Sequence, residues 1–334
     1  MSVIHVLEPG LFTTVQDLGR EGFGPLGVSP SGAADRISLR IGNRLVGNVE
    51  GAAGLEMTLL GGTFAFPNGA MLTLAGSDFG ATLDEKPVAL WERFEARAGQ
   101  VLRLGPTRSG ARCYLCVGGG IEVELFLGSA STHILSGLGG HQGRALRKCD
   151  ELRIGSASRE VVGEGRGAAR LRRQALPKAS EALPRQSLSA RALSQLTPRK
   201  VLRVTPGPQS DWFSDEAQKI FYASTYRVAE ESNRMGIRLE GAAVPAPAGG
   251  EMISEGVSLG AVQVPEGGKP IILFVEQQTT GGYPKIANAI SADLHRLGQL
   301  RPRDEVRFEL LDMEMARRLL IEQEELLASE NLIV

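Results

Sequence analysis

The densest group of side chains that could do chemistry lies in the segment 277–285, which reads QQTTGGYPK. It follows an apolar run, Ile271 to Val275, so we expect it to leave the end of a buried strand. Amides and hydroxyls bind substrate amides and carboxylates, and neighbouring glycines let the backbone approach a ligand closely. Tyr283 could donate a proton. The candidate substrate-binding residues are Gln278, Thr279, Thr280, Gly281 and Gly282, although a capped turn would use the same residues.

A second polar region lies near the N-terminus, in the segments 9–20 and 27–35. Glycines there separate polar side chains between a predicted strand and the start of a predicted helix. Such a junction leaves backbone N–H groups free to hold an anion. Arg20, Ser31 and Gly32 are therefore the candidate cofactor-binding residues. The alternative interpretation is a turn-rich connection followed by a capped helix.

Other residues carry single groups suited to binding or proton transfer. Gln209 offers an amide and Arg234 a guanidinium group, and both suit a carboxylate ligand. Glu255 is an isolated carboxylate among small residues, where a surface turn is an equal alternative. Arginines also recur every four residues on one predicted helix: Arg36, Arg40 and Arg44. This stripe is either a solvated face or a contact for an acidic partner.

Several function classes are excluded by the sequence. It has no G-x-x-x-x-G-K-[ST] phosphate loop, no G-x-S-x-G nucleophile motif and no lysine between methionines for biotin attachment. Cys113 and Cys116 point to opposite faces of a predicted strand, so we expect no metal site. A net charge of −1 favours neither nucleic acid nor a membrane surface. The odd number of cysteines, three, favours a reducing, cytoplasmic compartment.

The elements that must position these residues are mostly strands. Four segments place an arginine between two apolar residues, which is typical of a strand with one buried face: 102–104, 152–154, 202–204 and 306–308. Glycine accounts for 42 of the 334 residues, against a usual share of about 7%, which favours many tight turns. Helices are predicted at 32–45 with Ser31 as N-cap, at 215–221, through Ile286 to Leu297, and at 312–328. The sequence therefore predicts a mainly β protein with a few helices.

The chain is predicted to divide into two units. Residues 156–200 contain no aromatic residue and carry ten Lys or Arg against three Asp or Glu. A segment with so little to bury is typical of a linker or a mobile insertion. We therefore expect an N-terminal β-rich unit at 1–155, a basic linker at 156–200, and a C-terminal β-rich unit with a final helix at 201–334.

These motifs together resemble one family, the biotin-dependent carboxyltransferase-like proteins, also called allophanate hydrolase subunit 2. The likeness covers nearly the whole chain except 156–200 and the last twenty residues. The motifs that carry it are PGLFTTVQDLGR at 9–20, GVSPSGAAD at 27–35, LVGN at 45–48, GPQSDWF at 207–213, SEGVSLGAVQVP at 254–265 and QTTGGYPKIA at 278–287. The resemblance implies two cyclophilin-like β-barrel units, in agreement with the glycine content and the arginine-centred strands.

The resemblance also implies a function in a complex. The leading hypothesis is a subunit of an ATP-dependent 5-oxoprolinase, which acts on a small amide or lactam beside a subunit-1, kinase-inhibitor-like protein and a lactam-opening subunit. ATP is implied by the family alone. One alternative is carboxyl transfer to urea or a related amide from carboxybiotin on a separate carrier protein. Another is a non-enzymatic antagonist that binds the kinase-inhibitor-like partner.

Under the leading hypothesis, the candidate residues take three roles. Gln209 and Arg234 orient the substrate, and the segment 278–282 holds its amide or carboxylate. Backbone N–H groups and arginine are suited to stabilising negative charge on the substrate oxygen. The candidates for proton transfer are Asp17, Asp35, Glu255 and Tyr283.

Overall fold

Strands make up most of the regular structure in residues 2–156, 186–196, 201–247 and 252–334, which are those that the computed structural model describes. This confirms the prediction of a mainly β protein with a few helices. All four arginine-centred segments lie in strands, with the flanking apolar side chains turned inward. No helix among the described residues is both long enough and apolar enough to cross a membrane.

The N-terminal unit consists of two antiparallel sheets around one apolar core. Its strands are β1 Val3–Glu8, β2 Phe12–Gln16, β3 Gly54–Thr58, β4 Thr63–Phe66, β5 Ala70–Gly76, β6 Thr82–Leu83, β7 Lys86–Pro87, β8 Arg93–Ala96, β9 Gln100–Arg103, β10 Arg112–Val117, β11 Ile121–Glu122 and β12 Glu151–Ile154. One sheet has the order β11-β12-β1-β4-β9-β6-β7, and the other β2-β3-β10-β5-β8. Phe64, Phe66 and Leu115 lie in the core between them.

The C-terminal unit is a closed barrel. Its strands are β13 Val201–Pro206, β14 Tyr226–Val228, β15 Gly236–Glu240, β16 Glu255–Gly256, β17 Ala261–Gln263, β18 Ile271–Leu273, β19 Thr280–Gly281, β20 Lys285–Ala289 and β21 Glu305–Leu310. The barrel closes in the order β13-β20-β17-β18-β15-β14-β21. Phe221, Tyr226 and Phe308 contact one another at one end of its core. The short strands β16 and β19 form a separate antiparallel pair outside the barrel.

Five α-helices are present in the described residues: α1 Arg36–Leu45, α2 Ala190–Leu196, α3 Asp215–Ala223, α4 Leu294–Leu297 and α5 Met313–Ala328. The predictions of α3 and α5 are confirmed, and Ser214 caps α3 by accepting the amide of Ala217. Helix α1 starts four residues later than predicted. Its N-cap is Asp35, whose carboxylate accepts the backbone N–H of Ser38. The expected cap, Ser31, has φ +56° and donates its hydroxyl to the carbonyl of Thr132 instead.

The helix predicted through Ile286 to Leu297 is wrong. Its first part is β20, which pairs with β13 on one side and with β17 on the other. A strand in the middle of a closed barrel is buried along almost its whole length, so its apolar residues need not alternate. Only the last four residues are helical, in α4, after a 3-10 turn at Ser291–Asp293.

The expected linker has structure where it can be described. Its residues 157–185 and 197–200 lie outside the described residues. Ser187 and Leu188 form bridges to Glu92 and to Ile333, near the C-terminus. Leu188 and Ala192 are buried in a small apolar cluster between α1 and the end of α5. This part of the segment does have apolar surface to bury, which the low aromatic content did not indicate.

Candidate functional site

A cleft of about 320 Å³ lies between the two units. One wall comes from the loop before α1, and the other from the segments 257–259 and 275–279 of the C-terminal unit. The predicted residues Arg20, Ser31, Gln278 and Thr279 all line it. Polar segments from both halves of the chain therefore converge on one site.

Arg20 reaches the cleft from a buried position. It is 3% exposed, donates to the carbonyls of Phe126 and Ser131, and lies over the Phe126 ring at 5.4 Å. Its Nη1 has no hydrogen-bond partner among the described residues. Burial lowers the pKa of the guanidinium, while the carboxylates of Asp17 and Glu276 oppose that shift. Arginine is nevertheless always protonated in proteins, so this residue brings a fixed cation to the wall of the cleft, with one buried donor that lacks a partner among the described residues.

Gln277 provides an acceptor in the same cleft. It is buried, its Nε2 donates to the carbonyl of Val257 at 3.4 Å, and its Oε1 has no partner in the described part of the chain. The neighbouring Gln278 is exposed, and its Nε2 makes a 3.5 Å contact with Oε1 of Gln263. A cationic donor and a neutral acceptor that both lack partners suit a ligand with one oxygen acceptor and one N–H donor.

The backbone N–H groups expected to hold an anion are occupied. The amide of Gly19 donates to Asp17, that of Arg20 to the carbonyl of Pro30, and that of Ser31 to the carbonyl of Val275. Further along, the amides of Ala33 and Ala34 donate to the carbonyl of Asp17 and to the carboxylate of Glu56. These amides are therefore not available for the anion predicted at this junction, because the loop is folded onto its neighbours.

Arg234 and Gly32 belong to a buried contact between the units. The Arg234 guanidinium donates to Glu276 at 2.5 Å, to Glu56 of the N-terminal unit, and to the carbonyl of Gly32 at 2.6 Å. Arg112 lies 3.4 Å from the same Glu56 oxygen. Burial alone would raise the pKa of the Glu56 carboxyl, but Arg234 and Arg112 together hold it below its usual value. All three nitrogens of Arg234 are thus engaged within the chain, in contrast to the predicted role in orienting a substrate.

The two N-terminal aspartates also have structural surroundings. Asp17 accepts hydrogen bonds from the amides of Gly19 and Ala130 and from the hydroxyls of Ser129 and Ser131. Asp35 caps α1 and also accepts from Gln299 at 2.7 Å. Neither aspartate lines the cleft. The oxygens of both carboxylates already accept hydrogen bonds from the protein. This arrangement suits residues that hold loops in place better than residues that transfer protons.

Glu255, the first residue of β16, binds Gln209 beside the cleft. Glu255 Oε1 is 2.7 Å from the Lys285 ammonium and accepts from Gln209 Nε2 at 2.9 Å. Hydrogen bonds from Lys285 and Gln209 lower the pKa of the Glu255 carboxyl. At neutral pH it is therefore ionised and has no proton to donate.

The last predicted residues are divided between two places. Thr280 and Gly281 form β19, and Gly281 lies against the Gln263 amide, because a Cβ there would be 2.5 Å from its Nε2. Gly282 and Tyr283 line a second cavity of about 520 Å³, away from the cleft. Tyr283 is 47% exposed. The substrate segment 278–282 therefore contributes two of its five residues, Gln278 and Thr279, directly to the cleft.

Residues outside the predicted set contribute to the site as well. Gln277 lies in the polar segment 277–285 but was not among its candidate substrate-binding residues, so its membership of that segment was the available signal. No local sequence motif marks Glu56 and Glu276 as functional or structural residues, because their partner Arg234 is distant in sequence. His133 accepts from the amide of Ser136, and burial lowers its pKa. No group of three or more metal-ligating side chains occurs among the residues that the structure describes.

Curated relatives match along almost the whole chain. The C subunit of 5-oxoprolinase from Escherichia coli is 37% identical over 314 residues, which is 94% of this chain and 93% of that protein. The protein of the same name from Haemophilus influenzae is 33% identical over 95% of this chain and 94% of its own length. The urea amidolyase of Saccharomyces cerevisiae is 32% identical over 95% of this chain, but the match covers only 17% of that longer protein.

Solved structures and a family model agree with these relatives. The crystal structure of the Kluyveromyces lactis urea amidolyase matches with a TM-score of 0.84 and 30% identity, covering 99% of this chain and 21% of that one. The urea carboxylase of the same yeast matches with a TM-score of 0.83 and 30% identity, covering 99% of this chain and 30% of that one. The family model described as "Carboxyltransferase domain, subdomain A and B" matches residues 26–310. The chain therefore belongs to the carboxyltransferase domain family, subdomain A and B.

Proposed function

We propose that this chain is a subunit of an ATP-dependent 5-oxoprolinase and binds the lactam in the cleft between its two units. Its likeness to two bacterial 5-oxoprolinase subunits, over more than nine-tenths of their lengths, supports this assignment. The complex opens 5-oxoproline to glutamate.

The observation that carries the proposal is the pair of partnerless polar atoms in the cleft. Arg20 Nη1 is a cationic donor, and Gln277 Oε1 is a neutral acceptor. A lactam presents a carbonyl oxygen and an N–H side by side on one edge. Arg20 would donate to the oxygen and Gln277 would accept from the N–H. Both buried atoms would gain the partners that they lack among the described residues.

The same pair suits the chemistry of ring opening. A lactam resists hydrolysis because resonance stabilises its carbonyl and its nitrogen is a poor leaving group. ATP supplies a phosphoryl group, which on the carbonyl oxygen makes the ring carbon more electrophilic. Before that transfer, Arg20 would polarise the carbonyl by donating a hydrogen bond to its oxygen from a fixed, buried position. Gln277 keeps the ring in one orientation through its N–H.

The cleft does not fit the triphosphate of ATP. Five backbone amides at this junction, those of Gly19, Arg20, Ser31, Ala33 and Ala34, are bonded to Asp17, Glu56 and carbonyl oxygens. We therefore assign the phosphate-binding groups to another protein of the complex, either the subunit-1, kinase-inhibitor-like protein or the lactam-opening subunit. Three free cysteines, two of them buried, are consistent with a reducing compartment, and we propose the cytoplasm.

The test is turnover by the assembled complex. The chain is combined with its partner proteins, and release of ADP and glutamate is measured with and without 5-oxoproline. We expect Gln277→Leu to lower kcat/KM about tenfold, the value of one hydrogen bond of ordinary strength. The matched control is Gln323→Leu, because Gln323 lies on α5, outside the cleft, and bonds the carbonyl of Ala292. No turnover of the complete complex with ATP and 5-oxoproline would reject the proposal.

Carboxyl transfer is the second candidate, because the yeast urea amidolyase matches the same residues. Urea also offers a carbonyl oxygen beside N–H donors, so Arg20 and Gln277 would serve it equally. The reaction requires carboxybiotin on a separate carrier protein. Transfer of the carboxyl group from such a carrier to urea, without 5-oxoproline turnover, would favour this candidate. Tight binding of the kinase-inhibitor-like protein with neither reaction would favour an antagonist.

A further inference from the structure

The three arginines of the α1 stripe have different partners. Arg40 forms ion pairs with Glu50 and with Glu324 of α5, each at 2.7 Å. Arg44 donates to the carbonyl of Leu327, at the end of the same helix. These two arginines fasten the C-terminal helix to the N-terminal unit. Arg36 does not take part in that contact and lines the cleft instead.

Arg36 occupies a position that does little for the stability of its own helix. It is the first residue of α1, where the helix dipole disfavours a cation. Its guanidinium is held by the carbonyl of Leu18 and by Glu21 at 3.0 Å. The Glu21 side chain is 76% exposed and precedes Gly22, so this counter-ion can move away at little cost. Ion pairs this exposed contribute at most about 1 kcal/mol to stability.

A second, independent observation marks the cleft as a place for an anionic or strongly polar ligand. Arg20 is buried, lines the same cleft, and has a partnerless Nη1. The cleft is therefore lined by one guanidinium group that only carbonyls hold, that of Arg20, and by one that the Leu18 carbonyl and the exposed Glu21 carboxylate hold together, that of Arg36. Such a pair can distinguish the two oxygen-bearing groups of a single ligand.

We propose that Arg36 is a specificity residue that binds the carboxylate of the substrate, and that Glu21 takes the place of this carboxylate in the free protein. This inference rests on the proposed function. In 5-oxoproline the ring nitrogen lies between the carbonyl carbon and the carbon that bears the carboxylate. With the carbonyl on Arg20 and the N–H on Gln277, the carboxylate lies on the other side of the nitrogen, for Arg36 to bind. A planar guanidinium group can bind a carboxylate through two parallel hydrogen bonds.

The experiment compares two lactams that differ only in the carboxylate. Binding of 5-oxoproline and of 2-pyrrolidone, which lacks that group, is measured by calorimetry on the chain assembled with its partner proteins, without ATP. We expect Arg36→Gln to weaken 5-oxoproline binding about tenfold and to change 2-pyrrolidone binding less than about twofold. We expect Glu21→Gln to strengthen 5-oxoproline binding about threefold, because the competing carboxylate is gone.

Matched controls come from the same helix and its surroundings. Arg40→Gln and Glu50→Gln remove an arginine and a glutamate that are paired outside the cleft, and neither should alter the preference between the lactams. If Arg36→Gln affects both lactams equally, or behaves like Arg40→Gln, the carboxylate role is wrong while the proposed function stands. If the unaltered complex binds neither lactam, the proposed function fails and this inference fails with it.

Discussion

The contact between the two units and the cleft beside it use the same residue types in opposite ways. In the contact, Arg234 and Arg112 face Glu56 and Glu276, so two positive and two negative groups are buried together. In the cleft, Arg20 retains a free donor, and the Arg36 counter-ion is largely exposed. An arginine therefore indicates a binding site only when its donors are not already used within the chain.

The two regions are adjacent, and one supports the other. Arg234 binds both the carbonyl of Gly32, next to Ser31, and the carboxylate of Glu276, next to Gln277. Ser31 and Gln277 lie on opposite walls of the cleft. The buried contact thus fixes both walls of the cleft through the residues next to them. The fold therefore does not depend on hydrogen bonds made by the polar atoms of the cleft itself.

The largest expected effect comes from removing the central cation of the contact. Arg234→Met leaves Glu56 and Glu276 buried with one fewer positive charge, which costs about 3–5 kcal/mol of unfolding free energy. Arg36→Met at the cleft should cost at most about 1 kcal/mol, because its ion pair is exposed. Urea denaturation of both variants measures the difference. Equal losses of unfolding free energy in the two variants would mean that the arginine of the buried contact stabilises the fold no more than the arginine of the cleft.

Two glycines with nearly the same φ angle test how closely the backbone is packed behind the cleft and at its edge. Gly32 has φ +92° and Gly22 has φ +91°. A Cβ at Gly32 would lie 2.8 Å from the backbone N of Gly19, whereas a Cβ at Gly22 would meet nothing within 4 Å. Both alanine variants incur conformational strain of about 1–2 kcal/mol. Gly32→Ala adds an overpacking cost of about 1–3 kcal/mol.

Thermal denaturation of the two alanine variants tests this directly. Gly32→Ala should unfold at a clearly lower temperature than Gly22→Ala, since only the wall behind the cleft is closely packed. If the variants unfold together, the Gly19–Gly32 contact can relax without cost, and the wall is not rigid.

Much of the fold could be predicted from local patterns. Alternation around Arg103, Arg153, Arg203 and Arg307 located strands correctly, because each buries one face only. Periodicity gave the wrong prediction at β20. Four of the five residues of this strand are buried, so its apolar residues do not alternate, and their spacing happens to match that of a helix. The position of Asp35 as the cap of α1 was not predicted either. Ser31 was the expected cap, but its loop is drawn toward Thr132 and Val275.

The site was predictable only as a set of segments. Sequence placed Arg20, Ser31, Gln278 and Thr279 among the candidates, and they do meet in the cleft. The sequence could not show that the side chains of Arg234 and Asp17 use their hydrogen-bonding groups within the chain. Their partners lie more than forty residues away: Glu56, Glu276, Ser129 and Ser131. Whether a polar side chain is available for a ligand depends on these distant contacts.

Acid should weaken the contact region before the cleft. His295 on α4 is 7% exposed, and neither ring nitrogen has a partner among the described residues. Burial lowers the pKa of its imidazole and Arg296 adds to this, while the nearby carboxylates of Asp35 and Asp293 oppose it. Below the unfolded value of about 6.5, the unfolded chain then binds more protons than the folded one. Stability should therefore fall as pH decreases from about 7 to 5, by at most about 1.4 kcal/mol per pH unit.

The measurement is the unfolding free energy as a function of pH. His295→Met should flatten the decrease between pH 7 and 5. A smaller slope is expected to persist in His295→Met, since burial also lowers the pKa of the half-buried His133. An unchanged slope in His295→Met would assign the acid sensitivity to other groups.

The smallest effect separates two glutamines of the C-terminal unit, Gln209 beside the cleft and Gln278 in its lining. Gln209 is buried, donates to Glu255 at 2.9 Å and accepts from the amide of Lys285 at 3.2 Å, so Gln209→Ala should cost about 1–3 kcal/mol of unfolding free energy. Gln278 is exposed in the cleft, and Gln278→Ala should change it by less than about 0.5 kcal/mol. Urea denaturation resolves this difference. A large loss of unfolding free energy in Gln278→Ala would mean that this side chain stabilises the fold. Fewer polar groups of the cleft would then be available to bind a ligand.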